Sequence, residues 1–358
     1  VNDDVNIEAT GDELFDYPAL CVRRVTLDAL LVQAAGAAGA EVRTGSRVTG
    51  LISDDGRVTG VQTDQGPIHA RLVVGADGRH STVASAVGAR EYHVSPPGRM
   101  AAWGYFEGVV DRDGCARFGR MGDVGFLAGP TDGDLYMAAV APDLTKQHEF
   151  HADRDAYFTA AIRKWPDLAD VLAGGRRVGP LRVVTKWHGY FRESAGPGWV
   201  LVGDAGHFKD FTPGQGISDA LRQSERLVQA IENALGTTNL DAAMQQWWRW
   251  RDDDAYEMYW FASVMGKPGA SSPLTTRLLR DISADAHATR SFLRVLNHEL
   301  RPSQLFTPAM LARGTARALR DQPRHIVATL KEVVASGKQN MRQARQKRMR
   351  PPGMPTAT

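Results

Sequence analysis

The spacing of apolar residues changes from helical to alternating in the first patterned part of the chain. Within 25–38 leucine, valine and alanine recur at three- and four-residue intervals, which predicts an amphipathic helix that ends at Gly39. Apolar and polar residues then alternate in three short runs, which predict a strand followed by a β-hairpin: 41–43, 47–52 and 58–63.

Two later segments each combine a strand, a glycine turn and a helix. Residues 68–74 form an apolar run that enters the turn 75–78, and a helix is predicted to begin shortly after it. Residues 198–204 form a second run of this kind, and the glycines that follow it open a predicted helix over 214–234. Each segment therefore predicts one strand-turn-helix unit.

The region between these two units has a different pattern. Aromatic and β-branched residues alternate with glycine turns over 100–140, which predicts an antiparallel sheet in a separate domain. A helix over 145–165 and a strand over 178–188 are predicted to return the chain to the first domain. The predicted organisation is an incomplete first domain over 1–95, a sheet domain over 96–190, a return segment over 191–235, and a helical C-terminal region with a basic tail over 236–358.

The composition excludes some classes of protein and partner but does not indicate a particular chemistry. With 43% hydrophobic and 23% charged residues the chain has ordinary globular usage, and a net charge of +2 gives no reason to expect nucleic acid as a partner. Two cysteines, Cys21 and Cys115, are too few for a disulfide framework, so we expect a reducing, cytoplasmic setting. No run approaches the roughly 20 apolar residues that a bilayer span needs, so no stable membrane insertion is expected.

The basic tail that begins at Lys331 has two possible partners, an acidic membrane surface or nucleic acid. Because it shows no strong apolar face in the sequence, we expect a solvated terminus instead.

The second strand-turn-helix unit contains the residues most suited to bind a ligand. Asp204, after Gly203 at a strand end, can accept hydrogen bonds from the hydroxyls of a sugar or sugar alcohol. The segment 213–216, Pro213-Gly214-Gln215-Gly216, lets a ligand approach the backbone at a helix N-terminus, which favours negative charge. A reduced flavin has such charge at N1 and the C2 carbonyl. The alternative is a tight turn between a buried strand and a helix.

Other candidates receive no role from the sequence. His207 and Lys209 could face a ligand or could be solvated on the surface. The aspartates at 252–254 point in different directions along a helix, so a solvated face is expected and no metal site. The tryptophans at 247, 248 and 250 are expected to pack helices.

Three segments together resemble a known family. The region 203–216 is similar to the second FAD-binding motif of the para-hydroxybenzoate hydroxylase-like flavoproteins, whose superfamily includes geranylgeranyl reductase-like enzymes. Asp77-Gly78, within 75–83, resembles that superfamily's central DG motif, used near the cofactor pyrophosphate and for pyridine nucleotide. Arg24, leading 25–31, resembles the arginine that lies beside the FAD phosphates and ribityl chain in this family.

The resemblance implies an α/β fold: a three-layer FAD-binding domain, an inserted antiparallel sheet domain and a helical C-terminal region. No GxGxxG follows a strand, so the first βαβ unit, which holds the ADP half of FAD in the family, is expected to be absent. The cofactor-binding residues implied are Arg24, Asp77, Gly78, Gly203, Asp204, Pro213, Gly214, Gln215 and Gly216.

The function implied is a monooxygenase that uses FAD, NADH or NADPH, and oxygen on a small aromatic or polyketide-like substrate. Such catalysis relies on the cofactor, so no catalytic side chain needs to be visible in the sequence. One alternative is a flavin-dependent reductase of prenyl-type double bonds, and another is a truncated, flavin-free binding protein. Candidates to line a substrate pocket on the inner face of the sheet are found among Trp103, Tyr105, Phe106, Phe118, Phe126, Tyr136 and Met137. The alternative for most of them is a place in the core.

Overall fold

The computed structural model describes residues 20–236, 239–321 and 323–348, and it has the expected α/β class. The strands are β1 (Val48–Asp54), β2 (Arg57–Thr63), β3 (Gly66–His69), β4 (Val73–Gly75), β5 (Glu91–Ser95), β6 (Ala101–Glu107), β7 (Arg117–Met121), β8 (Val124–Thr131), β9 (Leu135–Ala141), β10 (Arg176–Val184), β11 (Gly189–Arg192), β12 (Ala195–Gly196), β13 (Trp199–Leu201) and β14 (His207–Phe208). The helices are α1 (Arg24–Ala37), α2 (Thr82–Ala86), α3 (Gln147–Ala152), α4 (Arg154–Ile162), α5 (Pro166–Leu172), α6 (Gly216–Ala234), α7 (Leu240–Met265), α8 (Pro273–Ser283), α9 (Ala286–Leu296), α10 (Pro302–Leu305), α11 (Pro308–Asp321) and α12 (Ile326–Arg348).

Three expected elements differ from the structure. Residues 41–43 are exposed and irregular, so the prediction of a strand there is wrong. The helix predicted over 145–165 is divided at Asp153, whose extended backbone ends α3. The Asp153 carboxylate then accepts a hydrogen bond from the Ala156 amide at 2.9 Å and caps α4. The strand predicted over 68–74 is two shorter strands, β3 and β4.

A five-stranded antiparallel sheet occupies the region where one was predicted, in the order β10–β6–β9–β8–β7. Trp103 lies opposite Ala139, and Phe126 lies opposite Val140, so the alternation of side chains is kept across the strands. One face forms a buried core with α3, α4 and α5, and the other face is half-exposed. The strand predicted over 178–188 is β10, which ends earlier, at Val184.

Two three-stranded sheets lie next to the long helices. β4 and β13 run parallel and β12 pairs with β13, whereas β11 is flanked by β14 and β5. α6 and α7 pack together over the first of these sheets, with Trp247 and Trp248 buried among residues of both helices and of β13. Helix packing was the expectation for these two tryptophans, and it is confirmed.

The C-terminal region is helical, as predicted. A cluster built on Met258, Ile282, Phe292 and Val295 joins α7, α8 and α9, and α11 packs on α8. No helix within the described ranges has the length and the hydropathy that a bilayer span requires.

Two helices near β4 expose apolar side chains. The predicted amphipathic helix forms as α1, yet none of its residues is buried by the described part of the chain, and Leu30 and Leu31 are exposed. α6 exposes Leu221 and Val228 and turns polar Asp219 inward instead.

Candidate cofactor-binding site

Parallel pairing brings the two predicted glycine turns to one edge of a sheet. β4 and β13 align with Val73 opposite Trp199 and Gly75 opposite Leu201. The carboxyl ends of parallel strands meet at the same edge, which is where ligands bind in open α/β sheets. Gly75 is required at this position, because a Cβ atom there would lie 2.7 Å from the Leu201 side chain. The turns 75–78 and 203–206 are therefore neighbours in space.

Two side chains from β11 tie these turns together. The Tyr190 hydroxyl donates a hydrogen bond to the Asp204 carbonyl at 2.7 Å. The Arg192 guanidinium donates to the Ala205 carbonyl at 3.1 Å and to the Arg79 carbonyl at 3.2 Å. Arg192 also lies over the Tyr190 ring, 4.1 Å from its centroid. These residues were missed by the sequence analysis, because no local motif marks contacts between segments so far apart in sequence.

Asp204 has a carboxylate that is largely buried but makes no hydrogen bond to the described residues. Burial raises the pKa of this carboxyl to about 6, the nearby Asp219 charge adds to the rise, and Arg24 and Arg79 oppose it. A carboxylate near two positive charges, with no hydrogen bond to the described residues, is suited to bind hydroxyl donors of a ligand. This arrangement fits a polyol chain.

The backbone at 213–216 is open to a ligand. Gly214 has a φ of +70°, and no heavy atom lies within 4 Å of a Cβ built at Gly214 or at Gly216. α6 begins at Gly216 without a side-chain cap on its first amides, and Ile217 is exposed. Pro213 is half-buried beside this loop. Uncapped amides and open glycines fit a ring edge that carries negative charge.

A buried polar network supports this loop from beneath. The Lys209 Nζ atom lies 2.7 Å from both the Gln215 Oε1 and the Asp219 Oδ2 atoms. The Gln215 amide nitrogen donates to the carbonyls of Val295 and Leu296 at the end of α9, at 3.2 Å and 2.7 Å. The side chain of Gln215 thus contacts protein, which leaves its backbone for any ligand.

Asp219 also links this network to His298, which lies just after the end of α9. Its Oδ1 atom lies 3.2 Å from His298 Nδ1, and His298 has a φ of +60°, which is rare for a residue other than glycine. The pKa of Asp219 falls to about 2, because the nearby Lys209 and His298 outweigh the burial of the carboxyl. Surface solvation, one of the two readings for Lys209 and His207, is wrong for both since they are buried.

His207 lies in an aromatic environment. Its ring centroid is 4.5 Å from that of Phe191 and 5.8 Å from that of Tyr259. Burial, with the Arg251 charge nearby, holds the pKa of the imidazole well below its usual range, so His207 is neutral.

The aspartates at 252–254 do not form a solvated face, so that prediction is wrong for two of them. Asp252 accepts hydrogen bonds from the Tyr92 hydroxyl at 2.5 Å and from Arg251 at 2.8 Å. Asp254 pairs with Arg222 at 2.7 Å. Among the residues that the structure describes, no cluster of histidine, cysteine or carboxylate side chains has the arrangement of a metal site.

The remaining predicted residues lie around the same edge. Arg24 is exposed at the start of α1 and pairs with Asp28 at 2.8 Å. Its charge nevertheless acts on Asp204, where it opposes the rise of the carboxyl pKa that burial causes. The Asp77 carboxylate caps α2, since it accepts hydrogen bonds from the Thr82 amide at 2.7 Å and the Val83 amide at 3.2 Å. Gly78 has a φ of +75° with open space around it.

The start of α1 is fixed to the five-stranded sheet. Asp132, in the β8–β9 turn, accepts hydrogen bonds from the Arg23 amide at 2.7 Å, from the Arg23 guanidinium at 2.8 Å and from the Thr26 hydroxyl at 2.5 Å. The hydrogen bond to Asp132 raises the pKa of Arg23, with a smaller contribution from Tyr105 on the half-exposed sheet face. The start of α1 is therefore anchored to the sheet through the β8–β9 turn.

The candidate pocket residues separate by sheet face. The half-exposed face carries four of them: Trp103, Tyr105, Phe118 and Met137. Phe106, Phe126 and Tyr136 pack instead into the core with α3, α4 and α5, which is the alternative to a pocket role for these three.

The chain is an α/β protein in which two glycine turns meet at the carboxyl edge of a parallel strand pair. A family model described as "FAD binding domain" matches residues 4–251, and the chain belongs to that family, which confirms the flavoprotein superfamily suggested by the three motifs.

Similar proteins were found among curated sequences. The chain is 32% identical over 202 residues to "Protein FixC" of Escherichia coli O157:H7, covering 51% of this chain and 46% of that protein. It is 27% identical over 238 residues to the "Digeranylgeranylglycerophospholipid reductase" of Methanocella arvoryzae, covering 62% and 56%. The chain spans about half the length of the curated relatives it matches.

Solved structures with a similar fold include the flavin-dependent brominase Bmp2, with a TM-score of 0.68 at 18% identity over 86% of this chain and 78% of that one. They also include PqsL, a probable FAD-dependent monooxygenase from Pseudomonas aeruginosa, with a TM-score of 0.54 at 18% identity over 75% and 71%. At these identities the similarity shows the fold.

Proposed function

We propose that this chain binds FAD at the edge formed by β4 and β13 and acts as an NADH- or NADPH-dependent monooxygenase. The observation that carries the proposal is the free Asp204 carboxylate next to the uncapped start of α6. Asp204 would accept hydrogen bonds from the ribityl hydroxyls, and the amides of 215–217 would face the pyrimidine edge of the flavin ring, because the Gly214 amide already donates to the Phe211 carbonyl at 2.8 Å. Arg24 would lie near the phosphates, where a guanidinium is well matched to the charge.

The side chains of this protein would bind, orient and shield. Bound FAD would supply hydride acceptance from the nicotinamide cofactor and the activation of oxygen. The half-exposed sheet face, with Trp103, Tyr105, Phe118 and Met137, offers aromatic and apolar contacts to a flat substrate. A small aromatic or polyketide-like molecule would fit those contacts.

A second candidate is reduction of a prenyl-type double bond, which the relationship to a digeranylgeranylglycerophospholipid reductase favours. The apolar contacts on the open sheet face would suit such a substrate equally. Both candidates require flavin, so a single binding experiment tests the part they share.

The first experiment measures FAD affinity by the quenching of flavin fluorescence. Asp204→Asn should weaken binding about ten- to a hundredfold, because hydrogen bonds to a charged acceptor contribute about 1.5–3 kcal/mol. The matched control is Asp55→Asn, since Asp55 is exposed in the β1–β2 turn at a φ of 44° that asparagine also adopts. Equal FAD affinities for the two variants would refute the proposed contact between Asp204 and the ribityl hydroxyls. If the parent chain binds no FAD at all, the result favours the flavin-free binding protein.

The second experiment separates the two reactions. The FAD-loaded protein is reduced by NADH or NADPH and then mixed with oxygen that carries a heavy isotope and with a panel of phenols and prenyl alcohols. Heavy oxygen in a phenolic product supports the monooxygenase. A saturated prenyl chain with no added oxygen supports the reductase and refutes the monooxygenase.

A further inference from the structure

The helix α12 turns polar side chains toward the protein, whereas an ordinary surface helix turns apolar side chains toward it. Its polar side chains face the protein: Thr329 is fully buried, and Glu332 accepts a hydrogen bond from the Ser272 hydroxyl at 2.5 Å. Further along, Gln339 accepts one from Lys267 at 3.1 Å, and the Gln343 carbonyl accepts one from the Tyr256 hydroxyl at 2.5 Å. These contacts fix the rotation of the helix about its axis.

The apolar side chains of α12 consequently face outward. Val327, Leu330, Val334 and Met341 are spaced three, four and seven residues apart, so they share one side of the helix, and they are 64%, 48%, 56% and 67% exposed. We name these four residues the outer stripe. The tail is largely exposed to solvent, as expected, but the expectation that it has no apolar face is wrong. The sequence pattern does not show which side of the helix the rest of the protein covers.

The charges beside the outer stripe all have one sign. Lys331, Lys338, Arg342 and Arg345 are exposed on α12, and the only acidic residue in its sequence, Glu332, turns inward. The exposed apolar residues of α6 are different, since both arginines and glutamates occur along that helix. Lys338 follows Val334 by four residues and Arg345 follows Met341 by four, so basic side chains lie within the outer stripe and along one flank of it. Basic and apolar side chains on one helix face are typical of helices that lie in the headgroup region of an anionic bilayer.

We propose that α12 docks on an anionic phospholipid surface, with the outer stripe entering the acyl boundary and its lysines and arginines reaching the headgroups. Long basic side chains keep their charge in water while their methylenes cover apolar surface. The lysines and arginines can therefore reach the headgroups while the outer stripe enters the acyl boundary. A second copy of this chain fits less well, because two α12 helices packed by their stripes would bring their basic side chains together. Nucleic acid would use the charges and leave the valines exposed.

The test is co-sedimentation of the full 358-residue chain with vesicles, at low and high salt. We expect binding to phosphatidylcholine vesicles that contain phosphatidylglycerol, little binding to phosphatidylcholine alone, and release by salt. Lys331→Gln and Lys338→Gln should each lower the vesicle partition about fivefold, from the attraction of about 1 kcal/mol for each basic residue near such a surface.

The apolar contribution is tested with matched valine variants. Val327→Ser with Val334→Ser should lower the partition about tenfold or more, since both side chains leave the acyl boundary. The control is Val110→Ser with Val178→Ser, two exposed valines on another part of the molecule, which should bind vesicles like the parent. The proposal is overturned if both pairs bind vesicles equally. It is also overturned if the stripe variants instead abolish a dimer seen by light scattering, or if a DNA duplex binds independently of the valines.

Discussion

Replacing Lys209 with methionine should destabilise the fold strongly, because Lys209 is the closest cation to the buried Asp219. The Nζ and Oδ2 atoms are 2.7 Å apart, and the two side chains are 4% and 8% exposed. Removal of one partner from a buried ion pair typically costs about 3–5 kcal/mol, since the other charge stays desolvated and unpaired. Lys209→Met would also remove the hydrogen bond that Gln215 Oε1 accepts from the same amine.

The lowered pKa of Asp219 predicts how this cost depends on pH. In the folded protein it is lowered to about 2, and such a carboxylate contributes stability that is present above the unfolded pKa and lost as the pH falls through 2. The shift corresponds to about 2–3 kcal/mol. Burial raises the pKa of Asp219 and Lys209 opposes it, so the variant loses the opposing charge and keeps the desolvation penalty. The loss in the free energy of unfolding caused by Lys209→Met should thus be largest near neutral pH. It should shrink in mild acid, where Asp219 of the variant takes up a proton.

The assay is urea unfolding followed by the fluorescence of the buried tryptophans at neutral and mildly acidic pH. Lys146→Met is the matched control, because the ion pair of Lys146 with Glu149 is on the surface and should contribute less than about 1 kcal/mol. Adding Asp219→Asn to the Lys209→Met variant should restore part of the lost stability at neutral pH. A loss below about 1 kcal/mol for Lys209→Met, or a loss that does not depend on pH, would refute this account of the network.

Two further predictions follow from the same site. Gly214→Ala should cost about 1–2 kcal/mol in chemical denaturation, because φ is +70° while the space around a Cβ is open; a much larger loss would mean that a side chain clashes there. Asp204→Asn should stabilise the ligand-free protein above pH 6 by about 1–3 kcal/mol. The pKa of Asp204 is raised to about 6 in the folded parent, so between about pH 4 and pH 6 the carboxyl ionises only in the unfolded chain, and the parent loses stability as the pH rises through this range. Denaturation curves across that pH range check the second prediction, and a difference that is constant down to pH 4 would contradict it.

The strand-turn-helix units were predictable because their signals are local. The run into 75–78 and the run into 203–204 each carry their own apolar and glycine pattern, and the structure places strands and turns there. The long helix predicted over 214–234 is present as α6 for the same reason. The roles of the cofactor residues stay predictions, which the FAD-binding experiment tests.

What could not be predicted depends on partners distant in sequence. Tyr92 and Asp252 meet across 160 positions, and His298 and Asp219 across 79, so no window of the sequence contains both members. The same limit explains the inward Lys209 and the outward stripe of α12, because burial is decided by which side of an element its neighbours cover. Sequence periodicity shows that a helix has two sides without showing which one meets solvent.

The attachment of α1 to the β8–β9 turn has a mechanical consequence. One carboxylate, Asp132, holds the main chain, a guanidinium and a hydroxyl of the first helical turn, so this end of α1 is constrained to follow the sheet when the sheet tilts. Arg24 follows directly in the chain, and its charge acts on Asp204. A displacement of the β8–β9 turn would therefore also move Arg24, the residue whose charge opposes the raised pKa of Asp204.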